Sequence, residues 1–297
     1  DTSGKVAVNP DGTLNRASMQ TITNPDDMNA VEAALKLKDA TGCKVMVVTM
    51  GPPPAAGMLR ELMAMGADEG VLVSARKFGG FNDYRGGGHF SGRLTLGLVA
   101  AGVVAKKILG RKVRIESRIV EIDDCNNPDD FPKIVEEALR AQDSVGGIVE
   151  CSATGVPPAL GEPFFDSVES TMSHLLFSIP AVKGVEFGAG FAAARMRGSE
   201  HNDPIISPDG TTATNNAGGI VGGLTNGNPV VVRVAIKPTA SISSPQITLN
   251  TESGKPEELR IKGRHDACIA LRAPVVVEAA AAVALCDLTL IARSLRP

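Results

Sequence analysis

The sequence has 297 residues, of which 43% are hydrophobic and 21% charged, with a formal net charge of −3 at pH 7. This length allows one large domain or two ordinary ones, and the composition is that of a globular protein. The small net charge, with nine Phe, one Tyr and no Trp, speaks against a nucleic-acid or membrane partner. This net charge still allows a local basic pocket that binds a small anionic molecule.

The five cysteines are odd in number and never occur at CxxC spacing. We therefore expect neither a disulfide framework nor a zinc site, and a reducing, cytoplasmic location. No signal peptide is recognised at the start of the sequence. The apolar stretch 275–292 contains Glu278 and Asp287, which favours a buried helix over a membrane span.

Residues 1–80 have the pattern of one α/β unit. Asn24 and Pro25 predict a helix start, and Gly42 predicts its end. The run 44–50 predicts a buried strand, followed by a second helix that ends before Gly66 and by a short strand at 71–74. Strand, helix and strand in this order predict a parallel pair with a crossover connection.

From residue 81 the pattern changes to an α+β mixture. We predict helices at 94–109, 129–142, 164–178 and 274–292, strands at 112–122, 145–154, 182–189 and 230–236, and a long irregular stretch at 196–228.

Two polar or glycine-rich segments fall in the irregular stretch. Residues 215–227 contain five glycines, which suits either a backbone-lined anion site or a pair of tight turns. Residues 196–203 combine an Arg, a His and two acids. This segment is equally compatible with a site and with a solvated loop, and its spacing predicts no metal.

Three further clusters suit a multiply anionic ligand better than a hydrolytic site. Arg85, His89, Ser91 and Arg93 flank three glycines before a helix, where backbone N–H groups bind anions. Lys237–Ser241 follows a predicted strand and contains a Lys and two hydroxyl side chains. Such a segment either binds phosphate or is simply the place where the chain leaves the strand. Residues 264–266 are Arg-His-Asp, either an anion clamp beside a proton-transfer group or a surface ion pair.

These motifs, in this order, resemble chorismate synthase, and the resemblance spans residues 81–297. The segments that carry it are Asp83–Gly88, Ser91, Arg93, Ala101-Gly102, Ala105-Lys106, Gly155–Pro157, Gly161–Pro163, Ala181–Glu186, Met196–Ser199, Asn216–Gly219, Lys237–Thr239 and Gly263–Asp266. The resemblance implies an FMN-dependent lyase of aromatic biosynthesis. It would eliminate phosphate and a ring hydrogen from 5-enolpyruvylshikimate 3-phosphate, giving chorismate. The flavin must be reduced, with NADPH as a candidate reductant, and the family forms homotetramers.

The resemblance also implies roles for individual residues. Asp266 matches a catalytic acid beside the flavin, and Arg85 and Arg93 match substrate-binding positions. The positions that match FMN contacts are His89, Phe90, Ser91, Pro180, Ala181, Gly222, Lys237, Pro238, Thr239, Ala240, Ser241 and Arg264. The sequence departs from the commoner family pattern at His89-Phe90, usually Arg-Ser, and at Pro180, often Asn.

The family's opening section, with its Gly-Glu-Ser-His-Gly and Arg-Pro-Gly-His motifs, has no counterpart in this sequence. Those two histidines are the general acids of the family. Because losing such an acid costs on the order of 10²–10⁴-fold in rate, we predict weak FMN binding and poor turnover for this chain.

Residues 1–80 resemble the amino-terminal part of an electron-transfer flavoprotein β-subunit. Asn24–Asp27, Ala30–Lys38, Met50–Pro52 and Ala64–Asp68 carry this resemblance, and Val48–Pro52 matches part of an AMP site. The expected fold is therefore a truncated chorismate-synthase-like β-α-β sandwich of α+β class at 81–297, preceded by a Rossmann-like α/β segment at 1–80. Two alternatives to the lyase are an electron-transfer module and a non-functional fusion.

Overall fold

The computed structural model describes residues 25–50, 56–73, 92–251, 253–261 and 266–295. The described residues fall into two units, one on either side of residue 88. The boundary predicted between residues 80 and 81 stays a prediction, because residues 74–91 lie outside the described residues.

The first unit pairs two parallel strands through a crossover helix, as the sequence predicts. Its elements are α1 (Pro25–Thr41), β1 (Met46–Met50), α2 (Ala56–Ala64) and β2 (Glu69–Val73). β1 and β2 run parallel in the register Met46 to Glu69 through Met50 to Val73. Gly42 ends α1 with φ +70°, a conformation that glycine adopts without strain. The Rossmann-like assignment of this segment stays a prediction.

The second unit contains five helices and eight strands among its described residues. They are α3 (Thr95–Leu109), β3 (Arg114–Ile122), α4 (Phe131–Arg140), β4 (Gly147–Thr154), α5 (Val168–Phe177), β5 (Val182–Phe187), α6 (Gly198–His201), β6 (Ile220–Val221), β7 (Leu224–Thr225), β8 (Val230–Ile236), β9 (Gln246–Asn250), β10 (Lys255–Leu259) and α7 (Ala273–Ser294).

The second unit contains a four-stranded antiparallel sheet in the order β3-β4-β8-β5. Burial alternates along β8, where Val230, Val232, Val234 and Ile236 are buried. Because successive side chains point to opposite faces of a strand, these four residues share one face. That face belongs to the core, which also contains residues of α5 and α7.

The opposite face of the sheet has a row of alternating charges across all four strands. Arg118 lies opposite Glu150, Glu150 opposite Arg233, and Arg233 opposite Glu186. The outer pairs are ion pairs, with 2.9 Å between Arg118 and Glu150 and 2.9 Å between Arg233 and Glu186. Opposite charges on neighbouring strands stabilise the pairing. We call these four residues the charge row.

Helix α7 is the centre of the core. Although Ile269–Ser294 is long and apolar enough to cross a membrane, 61% of its apolar window is buried inside the protein. The prediction of a buried helix is confirmed. α7 contacts β3, β4, α3 and α5. α7 and α3 are in close contact where Gly102 faces Ala279, since a Cβ on Gly102 would lie 2.5 Å from the Ala279 Cβ.

A polar network links α3, α7 and β3 inside this packing. Lys106 pairs with Glu278, and the other Glu278 oxygen accepts from the Ser117 N–H at 3.1 Å and from its hydroxyl at 3.2 Å. The Glu278 carboxylate therefore has a partner on each side, as a partly buried charge requires.

Two predicted helix starts differ from the structure by two or more residues, and one motif was missed. The helix predicted from residue 164 starts at Val168, because the Ser167 hydroxyl accepts from the Ser170 N–H at 3.1 Å as an N-cap. The helix predicted from residue 129 starts at Phe131, after a 3₁₀ turn. The antiparallel ribbon of β9 and β10 was not predicted.

Candidate functional site

The end of strand β8 brings two predicted FMN segments together. The backbone N–H of Lys237 donates to the carbonyl of Ala181 at 2.9 Å. Pro180 and Ala181, just before β5, therefore lie beside the segment Lys237–Ser241. Ala181 has φ +75°, which is uncommon for a residue with a Cβ and often marks a functional site.

The same end of the sheet also holds Asp266. The Thr239 hydroxyl donates to the Asp266 carbonyl at 2.8 Å, and the Asp266 Oδ1 lies 2.9 Å from Nη2 of Arg272. Arg272 ends the 3₁₀ turn Ile269–Arg272 that leads into α7. A surface ion pair was one of the two alternatives for Asp266, and its partner in the structure is Arg272. We call Pro180, Ala181, Lys237–Ser241 and Asp266 the β8-end cluster.

The donors of the β8-end cluster suit a phosphate group. Within the part of the chain that is described, no hydrogen bond uses the backbone N–H groups of Thr239, Ala240 or Ser241, or the Ser241 hydroxyl. The Lys237 side chain is half-buried, and its Nζ lies 3.2 Å from the Pro238 carbonyl. An ammonium group, a hydroxyl and successive backbone N–H groups are the partners that phosphate oxygens require.

Gly222 lies at the other end of β8. The Val231 N–H donates to the Gly218 carbonyl at 3.1 Å, which fixes the glycine-rich run near the start of this strand. From Val231 to Lys237 the chain rises by about 20 Å at the usual strand spacing. The structure therefore does not bring Gly222 to the β8-end cluster.

The glycine-rich run forms tight turns. Gly222 and Gly223 have φ +62° and +86° and connect β6 to β7 as a two-residue hairpin loop, where two left-handed residues in succession favour glycine. Gly223 packs on the start of α5, because its carbonyl accepts from the Val168 N–H at 3.0 Å. Gly222 faces open space, with no atom within 4 Å of a Cβ placed on it. Its role in ligand binding stays a prediction.

Five predicted site residues lie outside the described residues. They are Arg85, His89, Phe90, Ser91 and Arg264. The predicted substrate residue Arg93 is described, and it lies in the exposed 3₁₀ turn Gly92–Leu94 immediately before α3.

The acidic segment 196–203 has a structural role that the sequence did not reveal. The Asp203 carboxylate accepts from the Thr214 hydroxyl at 2.7 Å and from the N–H groups of Asn216 and Ala217, both at 2.8 Å. Partial burial alone would raise the pKa of Asp203, but these three hydrogen bonds and the nearby His201 lower it below its ordinary value. Asp203 thus connects the segment 196–203 to the glycine-rich run.

An open groove of about 590 Å³ runs between α5 and α7. Its titratable lining residues are Asp166, His174 and Asp287, and Phe165 and Ile291 are among the apolar ones. None of the predicted site residues lines it. Among the described residues, no group of three or more His, Cys, Asp or Glu side chains is placed to hold a metal ion.

Three of the five cysteines, Cys151, Cys268 and Cys286, are buried in the core. Cys268 and Cys286 are buried, and burial raises the pKa of both thiols. Burial, reinforced by the Glu278 charge, raises the pKa of the Cys151 thiol to about 12. Because the thiolate is the nucleophilic form, the prediction that Cys268 belongs to the core agrees with this environment.

Comparison with known proteins gives two family matches. The family model described as chorismate synthase matches residues 69–290, and that described as the electron transfer flavoprotein domain matches residues 11–85. The first match begins before the predicted junction at residue 81, and the two matches overlap.

Individual relatives agree with the larger match. The chorismate synthase of Chitinophaga pinensis is 62% identical over 220 residues, covering 74% of this chain and 65% of the relative. That of Korarchaeum cryptofilum is 47% identical, covering 72% of this chain and 67% of the relative. A crystal structure of chorismate synthase superimposes with a TM-score of 0.56 at 30% identity, covering 68% of this chain and 65% of that one. The chain thus spans about two thirds of the length of these relatives.

Proposed function

We infer the function from the premise that this chain belongs to the chorismate synthase family, whose model matches residues 69–290. We propose that it is a lyase that converts 5-enolpyruvylshikimate 3-phosphate to chorismate and inorganic phosphate. The substrate loses a proton from one ring carbon and phosphate from another. The electron pair of the broken C–H bond moves through the ring double bond, so that the overall reaction is redox-neutral.

The observation that supports this proposal most directly is the β8-end cluster. Reduced FMN, when bound, supplies an electron transiently to help the phosphate leave. Lys237, Thr239 and Ser241 fit the phosphate of the flavin by the chemistry of their donors. Pro238, Ala240, Pro180 and Ala181 would line the same site with backbone groups.

We propose that Asp266 manages a proton beside the flavin. Its Oδ1 is held by Arg272 at 2.9 Å, which leaves Oδ2 to accept and return the proton. Because the Thr239 hydroxyl also holds the Asp266 carbonyl, the residue is fixed through both its backbone and its side chain. Such fixation suits proton transfer, which depends on geometry first.

The remaining predicted site residues extend this proposal. Arg85 and Arg93 would bind the anionic substrate, and His89, Phe90, Ser91, Gly222 and Arg264 would complete the flavin site. We further propose a cytoplasmic homotetramer with NADPH as the source of reducing equivalents. The domain division is proposed at 1–80 and 81–297, with the first segment Rossmann-like and joined from a different gene.

Turnover is proposed to be poor. The two general-acid histidines of the family lie in its opening section, and none of His89, His174, His201 and His265 occupies either position. Loss of such acids slows each step that they serve on the order of 10²–10⁴-fold. This chain should therefore bind FMN but form chorismate slowly.

Ligand titration followed by thermal unfolding tests the proposed function. FMN should raise the melting temperature, since a ligand that binds only the folded state stabilises it. A single-turnover reaction with reduced FMN should form chorismate slowly, with one phosphate released per chorismate. Absence of any FMN effect on melting would refute the lyase assignment for this chain, and a normal rate would refute the predicted loss of the two acids.

An electron-transfer module is the second candidate function. It is favoured by the match of residues 11–85 to the electron transfer flavoprotein domain and by the parallel pair β1 and β2 with its crossover helix. A melting shift with AMP and none with FMN would favour this candidate over the lyase. Shifts with neither ligand would favour a non-functional fusion.

A further inference from the structure

The connection between α4 and β4 is placed by a sharp turn at the end of its helix. Gln142 has φ +58°, a left-handed conformation that favours glycine. Its N–H donates to the Leu139 carbonyl at 3.1 Å, and the Asp143 N–H donates to the Ala138 carbonyl at 3.0 Å. These two bonds form a Schellman motif, which fixes the direction in which the chain leaves the helix. We call Gln142–Val145 the α4–β4 loop.

Antiparallel pairing brings the α4–β4 loop beside the segment that follows β8. The last pair of β4 with β8 is Gly147 and Ile236. Ser144 lies three residues before this pair, and Thr239 lies three residues after it. The two residues are therefore opposite each other in the continued register. Pro238, just ahead of Thr239, has no N–H to donate and cannot extend the backbone ladder.

The Ser144 side chain makes the link that the backbone does not make at this point. Its hydroxyl donates to the Thr239 carbonyl at 2.7 Å in a partly buried position. Gly146 allows the two segments to lie this close, because a Cβ on it would be 2.6 Å from the Ile236 carbonyl oxygen and 3.2 Å from Pro238 Cδ. The α4–β4 loop thus packs directly on the backbone at the end of β8.

The same loop also holds the segment that contains Asp266. The Val145 N–H donates to the Ala267 carbonyl at 2.8 Å, and the Thr239 hydroxyl donates to the Asp266 carbonyl at 2.8 Å. Two successive carbonyls are fixed in this way, one by the loop and one by Thr239. The α4–β4 loop is therefore bonded to both segments of the β8-end cluster that follow β8.

The bond from Ser144 determines the orientation of one peptide group in this cluster. A trans peptide is planar, and its C=O and N–H groups point in opposite directions. The described peptide bonds are all trans, so the Ala240 N–H points away from Ser144 when the Thr239 carbonyl points towards it. Among the residues for which the structure gives positions, none accepts a hydrogen bond from this N–H. The N–H is thus presented on the side of the segment that lies away from the loop.

We propose that Ser144 is a positioning residue of the flavin phosphate site. Its hydroxyl holds the peptide between Thr239 and Ala240, so that the Ala240 N–H is directed at the phosphate of FMN. Ser144 acts through this peptide and does not contact the ligand. The inference rests on the proposed function, because it requires the β8-end cluster to bind the phosphate of FMN.

Two flavins test this role in the full 297-residue chain. FMN carries the phosphate and riboflavin lacks it, so the ratio of their dissociation constants measures what the phosphate contributes to binding. Calorimetric titration should show that the unchanged chain binds FMN more tightly than riboflavin. Ser144→Ala should raise the FMN dissociation constant about tenfold and the riboflavin constant less than about twofold, because only FMN has an anion for the misdirected N–H to lose.

Two further variants separate the hydroxyl from the shape of the side chain. Ser144→Thr keeps the hydroxyl and should keep the preference for FMN over riboflavin. Ser144→Val has nearly the shape of threonine without the hydroxyl, and it should weaken FMN binding as Ser144→Ala does. Comparison of the Thr and Val variants also decides the question if Ser144→Ala does not fold, which thermal unfolding without flavin shows.

Ser117→Ala is the matched control for loss of a hydroxyl bond. The Ser117 hydroxyl donates to the Pro274 carbonyl at 2.6 Å, so this variant also removes a bond between distant parts of the chain. Ser117 lies in the same row of the sheet as Val232. Val232 is five residues before Lys237, which is about 16 Å along a strand. Ser117→Ala should therefore leave both dissociation constants unchanged.

The outcomes distinguish this inference from the proposed function. If the unchanged chain binds FMN no more tightly than riboflavin, the phosphate site is refuted and the role of Ser144 with it. If the unchanged chain prefers FMN but Ser144→Ala weakens both flavins equally, the phosphate site stands and Ser144 is only a structural residue. A Ser144→Val chain that keeps the preference for FMN would overturn the positioning role in the same way.

Discussion

The Asp266 carboxylate and the Arg272 guanidinium lie 2.9 Å apart across the 3₁₀ turn that leads into α7. Both side chains are substantially exposed, at 41% for Asp266 and 77% for Arg272. An ion pair in such a position contributes little to folding. The pair therefore orients the Asp266 carboxylate rather than stabilising the fold.

Replacing Asp266 or Arg272 should therefore affect the reaction while leaving the free energy of unfolding nearly unchanged. Arg272→Gln should lower the free energy of unfolding in urea by less than about 1 kcal/mol, as expected for an exposed pair. Asp266→Asn should retain the FMN melting shift and slow single-turnover chorismate formation on the order of 10²-fold or more. Arg140→Gln, which breaks the exposed pair with Glu136, is the control for folding. A loss of several kcal/mol in Arg272→Gln alone would contradict the positioning role.

Lys237 should contribute to FMN affinity. A charged donor to a phosphate oxygen is worth about 1.5–3 kcal/mol, so Lys237→Gln should raise the FMN dissociation constant by roughly ten- to a hundredfold. Lys183→Gln removes an exposed positive charge from β5 and controls for overall charge. Calorimetric titration measures both. Equal weakening by the two variants would point to a general charge effect and not to a site at the end of β8.

The contact between α3 and α7 should depend on Gly102. A Cβ at this position would lie 2.5 Å from the Ala279 Cβ and 2.6 Å from its Cα, so Gly102→Ala must push the two helices apart at a cost of about 1–3 kcal/mol. Gly97 lies in the same helix with nothing within 4 Å of its Cβ position. Gly97→Ala should therefore stabilise by up to about 1 kcal/mol through helix propensity. Urea unfolding of both variants tests the difference, and effects of the same sign would show that the helices are not in close contact.

Asp203 should stabilise the protein in a pH-dependent way. The pKa of this carboxyl is lowered in the folded state, so its contribution is fully present above the ordinary Asp pKa of about 3.9. The contribution is lost as the pH falls through the folded-state value, because the carboxyl then becomes protonated. Asp203→Asn should cost about 1–3 kcal/mol at pH 7, and the cost should shrink towards pH 3.

The matched control for Asp203 is Glu116→Gln, which neutralises an exposed acid on β3. Urea unfolding at pH 7, 5 and 3 gives the comparison. A cost for Asp203→Asn that stayed constant over this pH range would show that hydrogen bonding to the ionised carboxylate is not its origin.

Thiol reactivity should follow burial. Burial raises the pKa of Cys151 to about 12, so at pH 8 only a very small fraction is thiolate. Cys43 is exposed and should react first with a disulfide reagent, while Cys151, Cys268 and Cys286 should react only when the core opens. Peptide mass spectrometry after timed labelling assigns the sites, with a urea-unfolded sample as the control for full reactivity. Labelling of Cys151 as fast as Cys43 under native conditions would contradict the buried position.

Local sequence patterns predicted most elements but not the assembly of the site. β8 has the predicted limits, because a Val-rich run with a polar exit is a strong strand signal. The ribbon of β9 and β10 was missed, since its strands contain Gln, Asn, Lys, Pro and Glu and are stabilised by pairing rather than by composition.

The site depends on contacts between distant parts of the chain. Ala181 reaches Lys237 through the pairing of β5 with β8, and a register of this kind is invisible to local periodicity. For the same reason the sequence could not show that Gly222 lies at the far end of β8, or that Asp203 binds Asn216 and Ala217. Arg272 lies six residues after Asp266, so it could have been considered as the partner of that carboxylate. Only the 3₁₀ turn between them brings the two side chains into contact.

The charge row also bears on how the sheet assembles. β4, β8 and β5 are brought together from segments far apart in the chain, and each has aliphatic residues that would tolerate several alignments. A shift of β8 by two residues against β4 would place Arg233 opposite Ser152 or Ile148. Glu150 would then have no arginine opposite it on β8. A shift by one residue would bury a guanidinium among valines. The charge row thus favours the native register of the sheet over these shifted alignments.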